Sequence, residues 1–357
     1  MMHRSPRVAF YAPMKPPTHQ TPSGDRRIAR LTLAALETAG LTPFLASELR
    51  VLDMKGDAAA QKTLRTRAEA EINRLTAALS SDPPALWFTY HSYYKAPDLL
   101  GPAISRALGI PYAISEPSIS RKRRDGPWAG FAKASEAAID AADRLFWTTR
   151  RDLPALEAQG HASKLTHLPA FLDPGPDPRG RSQSGPLRLL AVAMMRRGDK
   201  VESYRRIAGA LAHLSGDWRL DIIGDGDARA DVDALFQPFT DRVQFHGALD
   251  VPAEIRARME AADIFLWPGV NEGVGMVWLE AQAAGLPVVA EDHPAAAELV
   301  VNARAAPDDP AGLAALIEAT ASDLPARASA ARAHVLDRHS LTQAATILNS
   351  TLRALIA

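Results

Sequence analysis

Short apolar runs alternate with longer amphipathic stretches along most of the chain, and this alternation predicts two parallel sheets in succession. In the first half the runs Val8–Ala12, Pro43–Ala46, Leu86–Tyr90, Pro111–Ser115 and Leu145–Thr148 read as buried strands. Helical patterns at Gly24–Ala39, Ala58–Leu79 and Pro97–Leu108 separate them, the last stopped by Gly109. The second half restarts the pattern, with strands expected at Leu187–Ala193, Leu220–Ile223, Val243–Phe245, Ile264–Trp267 and Leu286–Ala290. Further helices fill Ala295 to Ile356. Between the halves, residues 173–186 are dominated by proline, glycine and charge, the composition of a linker. The expected organisation is a first doubly wound domain over 1–172, the linker, a second over 187–340, and a terminal helix over 341–357. The fold class is α/β, two tandem Rossmann-like domains facing a central cleft, with ligands at the carboxyl ends of the strands.

Composition narrows the function. The 357 residues suffice for two ordinary domains, and 47% hydrophobic with 23% charged residues is normal for a globular protein. Basic and acidic side chains balance at 41 each, which argues against a nucleic-acid partner. The absence of cysteine excludes disulfides, thiolate zinc sites and thiol nucleophiles. No run approaches the ~20 apolar residues of a membrane span, and the charged start Met1–Arg7 leads into too short an apolar run for a signal peptide. A cytoplasmic protein is the expectation.

The most informative string is Asn271-Glu272-Gly273-Val274-Gly275-Met276 and its continuation to Ala290. Two carboxylates, Glu272 and Glu280, flank a Gly-x-Gly turn, and a short helix opening near Met276 is stopped by Gly285. Glycines at 273 and 275 allow close backbone approach, and a helix start directs free N–H groups and positive dipole at an anion such as a diphosphate. Glu272 and Glu280 can then accept hydrogen bonds from flanking hydroxyls, which describes a sugar-nucleotide site. The Gly224-Asp225-Gly226 pair lacks the third glycine of a dinucleotide fingerprint, and no metal-ligand spacing occurs. No cofactor and no metal are expected.

This string resembles the Glu-x7-Glu signature of retaining GT-B glycosyltransferases, specifically glycosyltransferase family 4. Ile222–Gly226, Val243–Gly247, His293–Val300 and Ala306–Pro310 resemble that family's flanking pieces, so the likeness runs from about Leu187 to the end. The resemblance implies that Glu272 contacts the donor sugar, Glu280 the ribose, the backbone of Gly273, Val274, Gly275 and Met276 the diphosphate, and the loop at Gly247 the base. It implies that the last helix crosses back onto the first domain. Basic residues follow the first strand of the second half in Met194-Met195-Arg196-Arg197-Gly198-Asp199-Lys200, where cations can neutralise a leaving diphosphate. The family places an arginine five positions before its lysine. Here that position is Met195, so Lys200 is the match and Arg196 or Arg197 substitutes after a loop shift.

On the acceptor side, Gly24 follows the plausible N-cap Ser23, and His91 ends an aromatic strand. Glu116 stands where many relatives of the family carry histidine, and either hydrogen-bonds the acceptor or caps a helix. Arg121–Arg124 precede Trp128, a combination that suits anionic headgroups or a lipid diphosphate carrier, although a short run of this kind is more ordinarily a solvated loop. The expected activity is metal-independent, retaining transfer from a nucleotide sugar to a glycan or lipid-linked hydroxyl. The alternatives are a sugar-nucleotide epimerase and a non-catalytic sugar-nucleotide or glycan-binding protein.

Overall fold

The structure is a computed structural model describing residues 5–21, 23–178, 185–302 and 304–357. The charged start at 1–4 and positions 179–184 of the expected linker therefore lie outside the described residues. The chain divides into two compact units, one running to Ala170 and including Leu341–Ala357, the other Phe171–Ser340.

The first unit is a six-stranded parallel sheet in the order β2-β1-β3-β4-β5-β6. Its strands are β1 (Arg7–Tyr11), β2 (Thr42–Ser47), β3 (Leu86–Ser92), β4 (Tyr112–Pro117), β5 (Arg144–Trp147) and β6 (Leu165–His167). The strand β6 is too short and polar to stand out as an apolar run, and it forms by pairing Leu165–His167 with Leu145–Trp147. Helices α1 (Gly24–Thr38), α2 (Ala58–Leu79), α3 (Gly101–Leu108), α4 (Ala129–Ala141) and α5 (Leu153–Glu157) connect the strands. The helix expected from Pro97 starts only at Gly101, for an identifiable reason. The buried Asp98 carboxylate accepts from the amides of Leu100 and Gly101, both at 2.8 Å, and from Tyr112 Oη at 2.7 Å. An acid held by that many donors fixes a turn where the periodicity alone suggested another helical turn. The order of strands reverses between β1 and β3, so the carboxyl ends of these two strands flank the crevice where such sheets bind ligands.

The second unit is a five-stranded parallel sheet in the order β11-β10-β7-β8-β9. It comprises β7 (Leu187–Val192), α6 (Asp199–Leu211), β8 (Trp218–Ile223), α7 (Arg229–Leu235), β9 (Val243–Phe245), α8 (Pro252–Ala261), β10 (Ile264–Leu266), α9 (Met276–Ala283), β11 (Val288–Val289), α10 (Pro294–Leu299), α11 (Pro310–Ala321) and α12 (Leu324–Arg338). Here the switch point lies between β7 and β10, and the two most informative loops of the sequence leave these strands. The chain then returns to the first unit as α13 (Leu341–Ile356), which lies along α1 and bonds its end through Asn349 Nδ2 to the Ala39 carbonyl at 2.6 Å.

The proline-rich segment read as a linker is held over Asp173–Pro178 by two arginines. Buried Arg332 donates to the carbonyls of Pro174 and Ala283 at 2.7 and 2.5 Å and to that of Gly175 at 2.9 Å. Arg256 adds bonds to the Pro174 and Pro176 carbonyls at 2.8 and 2.6 Å. Composition could not reveal this, because the partners lie far along the chain on α8 and α12. A buried guanidinium bonded to several carbonyls is costly to remove, so Arg332→Ala is expected to destabilise the second unit by about 2–4 kcal/mol. Urea unfolding followed by tryptophan fluorescence would measure it; an unshifted midpoint would show that the clamp contributes little.

Candidate functional site

At the switch point of the second unit, the loop from Trp267 to Gly275 is shaped by one indole. Trp278, fully buried on the first turn of α9, donates from Nε1 to the Trp267 carbonyl at 3.2 Å and so closes the loop on itself. Its ring leaves no room beside Gly269 or Gly275. A Cβ at Gly269 would lie 2.1 Å from Trp278 Cζ2, and one at Gly275 would lie 2.3 Å from Cε3, with both residues in left-handed backbone. The protein's own packing therefore already requires glycine at 275, whatever approaches its backbone. Gly273 differs, since a Cβ there would meet nothing within 4 Å. Asn271 takes a left-handed φ of 50°.

The first turn of α6 grips this loop from the side. Asp199 Oδ1 accepts from Asn271 Nδ2 at 3.1 Å, Ser203 Oγ accepts from the Val270 amide at 3.1 Å, and Lys200 Nζ donates to Glu272 Oε2 at 2.6 Å. Trp267 completes the group: its Nε1 donates to the same Glu272 oxygen at 3.2 Å, and the Lys200 ammonium lies 5.2 Å from its ring centroid. The Trp267 ring is in turn fixed edge-on by Tyr204, whose hydroxyl bonds the Ala193 carbonyl at 2.8 Å. A carboxylate, an ammonium and an indole N–H thus meet at the carboxyl ends of β7 and β10, partly open to solvent. Beside them α9 opens at Met276 with no side chain capping it; the Trp278 amide bonds the Gly275 carbonyl at 2.9 Å, which leaves the amides of Met276 and Val277 without a side-chain partner. Glu280 is half-buried one turn further along α9.

The other residues expected on the donor side are placed differently. Arg197 is 74% exposed and faces Asp231 at 3.6 Å, Arg196 is exposed, and neither is drawn to Lys200. Met195 is fully buried while Met194 is 52% exposed. The Gly224-Asp225-Gly226 turn serves close packing of loops, since a Cβ at Gly224 would fall 1.9 Å from the Ala193 carbonyl oxygen and one at Gly226 2.2 Å from that of Met195. Gly247 accepts from the Gly224 amide at 2.8 Å and lies beside open space. Sequence reasoning missed Trp267, Asp199, Ser203 and Trp278. The signal available was tryptophan itself, whose buried N–H requires an acceptor.

In the first unit, His91 and Glu116 occupy matching positions between the register pairs Tyr90–Ser115 and Ser92–Pro117 of β3 and β4. Both adopt left-handed backbone, φ 60° and 53°, which costs a non-glycine residue energy and concentrates at functional sites. His91 Nδ1 lies 3.4 Å from Asp25 Oδ1 on the first turn of α1, and Tyr90 Oη donates to Glu116 Oε2 at 3.4 Å. Ser23 caps α1 by accepting from the Arg26 amide at 3.3 Å, and Gly24 faces open space. Burial opposes charge on His91, but the Asp25 carboxylate facing its Nδ1 and the negative charges of Glu116 and Asp152 outweigh it and raise its pKa. Burial pushes Glu116 up, with Asp25 and Asp152 adding to the rise against the opposing His91 charge. Asp25 is driven up by burial yet ends lowered, because the facing His91 outweighs the burial. A ladder of rings, His91–Tyr93 at 4.9 Å, Tyr93–Tyr94 at 5.5 Å and Tyr94–Trp128 at 5.9 Å, leads away from this cluster. The expected cationic run at its far end divides. Arg123 stacks 5.0 Å over Trp128 and Arg124 pairs with Glu136 at 2.9 Å, whereas Arg121 and Lys122 are exposed.

Among the described residues no group of three or more His, Asp or Glu side chains is placed to hold a metal ion, and no helix is long and apolar enough to cross a membrane.

With this geometry in view, comparison with known proteins is decisive for the fold. Residues 186–323 match the family model for glycosyl transferases group 1. A glycosyltransferase from Rickettsia africae ESF-5 superposes with a TM-score of 0.71 at 13% identity, over 99% of both chains. The fold is GT-B. HepE of Anabaena, solved in complex with UDP, shares this GT-B fold at a TM-score of 0.71 and 15% identity, over 98% of this chain and 100% of that one. Among curated proteins, the 2-deoxystreptamine glucosyltransferase of Streptomyces kanamyceticus is 28% identical over 218 residues, 54% of this chain and 55% of that protein. The matches span about half the length, or less, of the curated relatives.

Two outcomes follow from the site. Gly269→Ala, forced against Trp278 in left-handed backbone, is expected to cost roughly 2–4 kcal/mol, whereas Gly273→Ala should stay within about 0.5 kcal/mol of wild type. Thermal unfolding of both would check this, equal losses refuting it. The folded pKa of His91 lies above its unfolded value. Its contribution is therefore complete below about 6.5, the ordinary histidine value, and disappears as pH rises through the higher folded pKa. Raised Glu116 also favours folding towards acid pH, while lowered Asp25 does the opposite, losing its contribution as pH falls through its folded value. His91→Gln should accordingly flatten the decline in melting temperature above about pH 6.5, and parallel curves for variant and wild type would count against it.

Proposed function

We propose that the protein transfers a sugar from a nucleoside diphosphate donor to an acceptor hydroxyl, with the donor on the second unit and the acceptor on the first. The observation that carries this reading is the Lys200–Glu272–Trp267 group, set beside an uncapped helix start within the segment that matches the group 1 family. A GT-B neighbour in complex with UDP and a relative named as a glucosyltransferase support a nucleotide-sugar donor. The acceptor is a glycan or a lipid-linked saccharide.

In the resting site Lys200 is neutralised by Glu272. A donor diphosphate arriving at the first amides of α9 competes for that ammonium, and the freed carboxylate turns its acceptor capacity to the sugar hydroxyls. Trp267 N–H keeps hold of Glu272 as the ammonium shifts, so the carboxylate is not released into solvent. During transfer the acceptor oxygen bonds to the anomeric carbon and gives its proton to the departing diphosphate oxygen. The bond from that carbon to the diphosphate breaks, and its electron pair stays on the phosphate oxygen. Negative charge therefore grows where Lys200 and the α9 amides sit, and stabilising it there lowers the barrier. In this reading the chain's own cation and amides, rather than a metal, neutralise the leaving group. Retention of configuration follows the family 4 resemblance, in which Glu272 and Glu280 form the Glu-x7-Glu pair.

Lys200→Ala and Glu272→Ala are each expected to reduce transfer by about 10²-fold, while Arg197→Ala, whose side chain faces Asp231, should cost much less. Product mass and nucleotide release, measured across UDP-, GDP- and ADP-sugars, would test this, and NMR of the product's anomeric signal would test retention. Wild-type turnover in both variants would refute the assignment. An epimerised donor with no acceptor-linked product would replace it with the isomerase alternative.

A further inference from the structure

The cationic loop of the first unit is part of a larger face that its sequence does not announce. The turn Asp53–Gly56 packs on Pro127–Trp128, with Trp128 Nε1 donating to the Asp53 carbonyl at 3.0 Å and Gln61 Nε2 donating to the Pro127 carbonyl at 2.9 Å. A Cβ at Gly56 would lie 2.4 Å from Pro127 Cβ, so the two turns are in direct contact. The turn is internally complete, because the buried Asp53 carboxylate accepts from the amides of Lys55 and Gly56, both at 2.9 Å, and from Gln61 Nε2 at 2.7 Å. Its tip presents Met54, 58% exposed and the most exposed large apolar side chain among the described residues, with exposed Lys55 beside it.

The neighbouring turn supplies the charge. Arg123 lies over both Trp128 and Tyr94, at 5.0 and 5.3 Å, and Arg124 is occupied by Glu136, so these two arginines build the face rather than meet a ligand. Arg121 and Lys122 project from it. Against Lys55, Arg121 and Lys122 stand exposed Asp125 and Asp57, the latter engaged in capping α2 through the amides of Ala59 and Ala60 at 2.8 and 3.1 Å. An apolar tip held outward by a satisfied turn, with exposed Lys55 next to it, packed on a half-buried tryptophan whose preceding segment carries two further exposed cations, combines the features that seat a protein at a lipid interface. Nucleic acid would use the cations but give exposed Met54 nothing to enter.

We propose that this face of the first unit docks on an anionic lipid surface, with Met54 entering the interface and Lys55, Arg121 and Lys122 meeting headgroup phosphates. The proposal is independent of the transfer reaction. Co-sedimentation of the full chain with vesicles, in low salt, tests it. Binding is expected to an equal mixture of phosphatidylcholine and phosphatidylglycerol and not to phosphatidylcholine alone. The double variant Arg121→Glu/Lys122→Glu should lower the partition coefficient about tenfold or more, and added salt should weaken wild-type binding. Met54→Asp, in a solvent-facing position that tolerates polarity, should weaken binding while leaving the melting temperature unchanged. Wild-type protein remaining in the supernatant with the mixed vesicles would overturn the proposal. So would binding that neither the double variant nor Met54→Asp reduces, since the contact would then lie elsewhere.

Discussion

The placement of the candidate donor site depends on where the ring of Trp278 can go. Buried on the first turn of α9, the indole fills the space that side chains at positions 269 and 275 would need and ties its N–H to the carbonyl of Trp267. The loop has to pass around it, and Asn271 and Glu272 are presented at the outer edge as a result. From there the first turn of α6 needs only short side chains, Asp199 and Ser203, to hold the loop, and one long one, Lys200, to reach the carboxylate. The chemistry attributed to Glu272 and Lys200 is thus borrowed from packing deep within the second unit.

Much of this was legible in the residues. The two sheets followed from apolar runs separated by amphipathic stretches, because strands covered on both faces must be apolar throughout. The string around Glu272 marked itself by its glycines and its flanking strand. What could not be read was which of those glycines the protein's own packing requires and which stands beside open space. Gly275 and the Gly224–Gly226 pair look alike in sequence to Gly273, and only the placement of a ring or carbonyl in three dimensions separates them. Likewise, Arg196, Arg197 and Lys200 are equivalent as charges on paper. The helical phase of α6 brings Lys200 inward, while Arg197 lies in the preceding loop and turns to Asp231.

The first unit shows the same limit from another direction. His91 and Glu116 were singled out as isolated polar residues at strand ends, yet their importance lies in being adjacent, both strained, and coupled to Asp25 and Asp152. Pairing across parallel strands is a long-range property, and no local window contains it. Short strands such as β6 escape notice for that reason also, since their partners and not their own residues make them strands.

One backbone arrangement has a consequence for change over time. Met195 donates to the Asp225 carbonyl at 2.9 Å and accepts from the Ala228 amide at 3.0 Å, while Gly226 rests on its oxygen. The base of the loop after β7 is therefore bolted to the loop after β8, and the exposed side chains of Met194, Arg196 and Arg197 ride on a fixed mount. Residues on such a rim can be exchanged by drift or by design without disturbing the scaffold beneath.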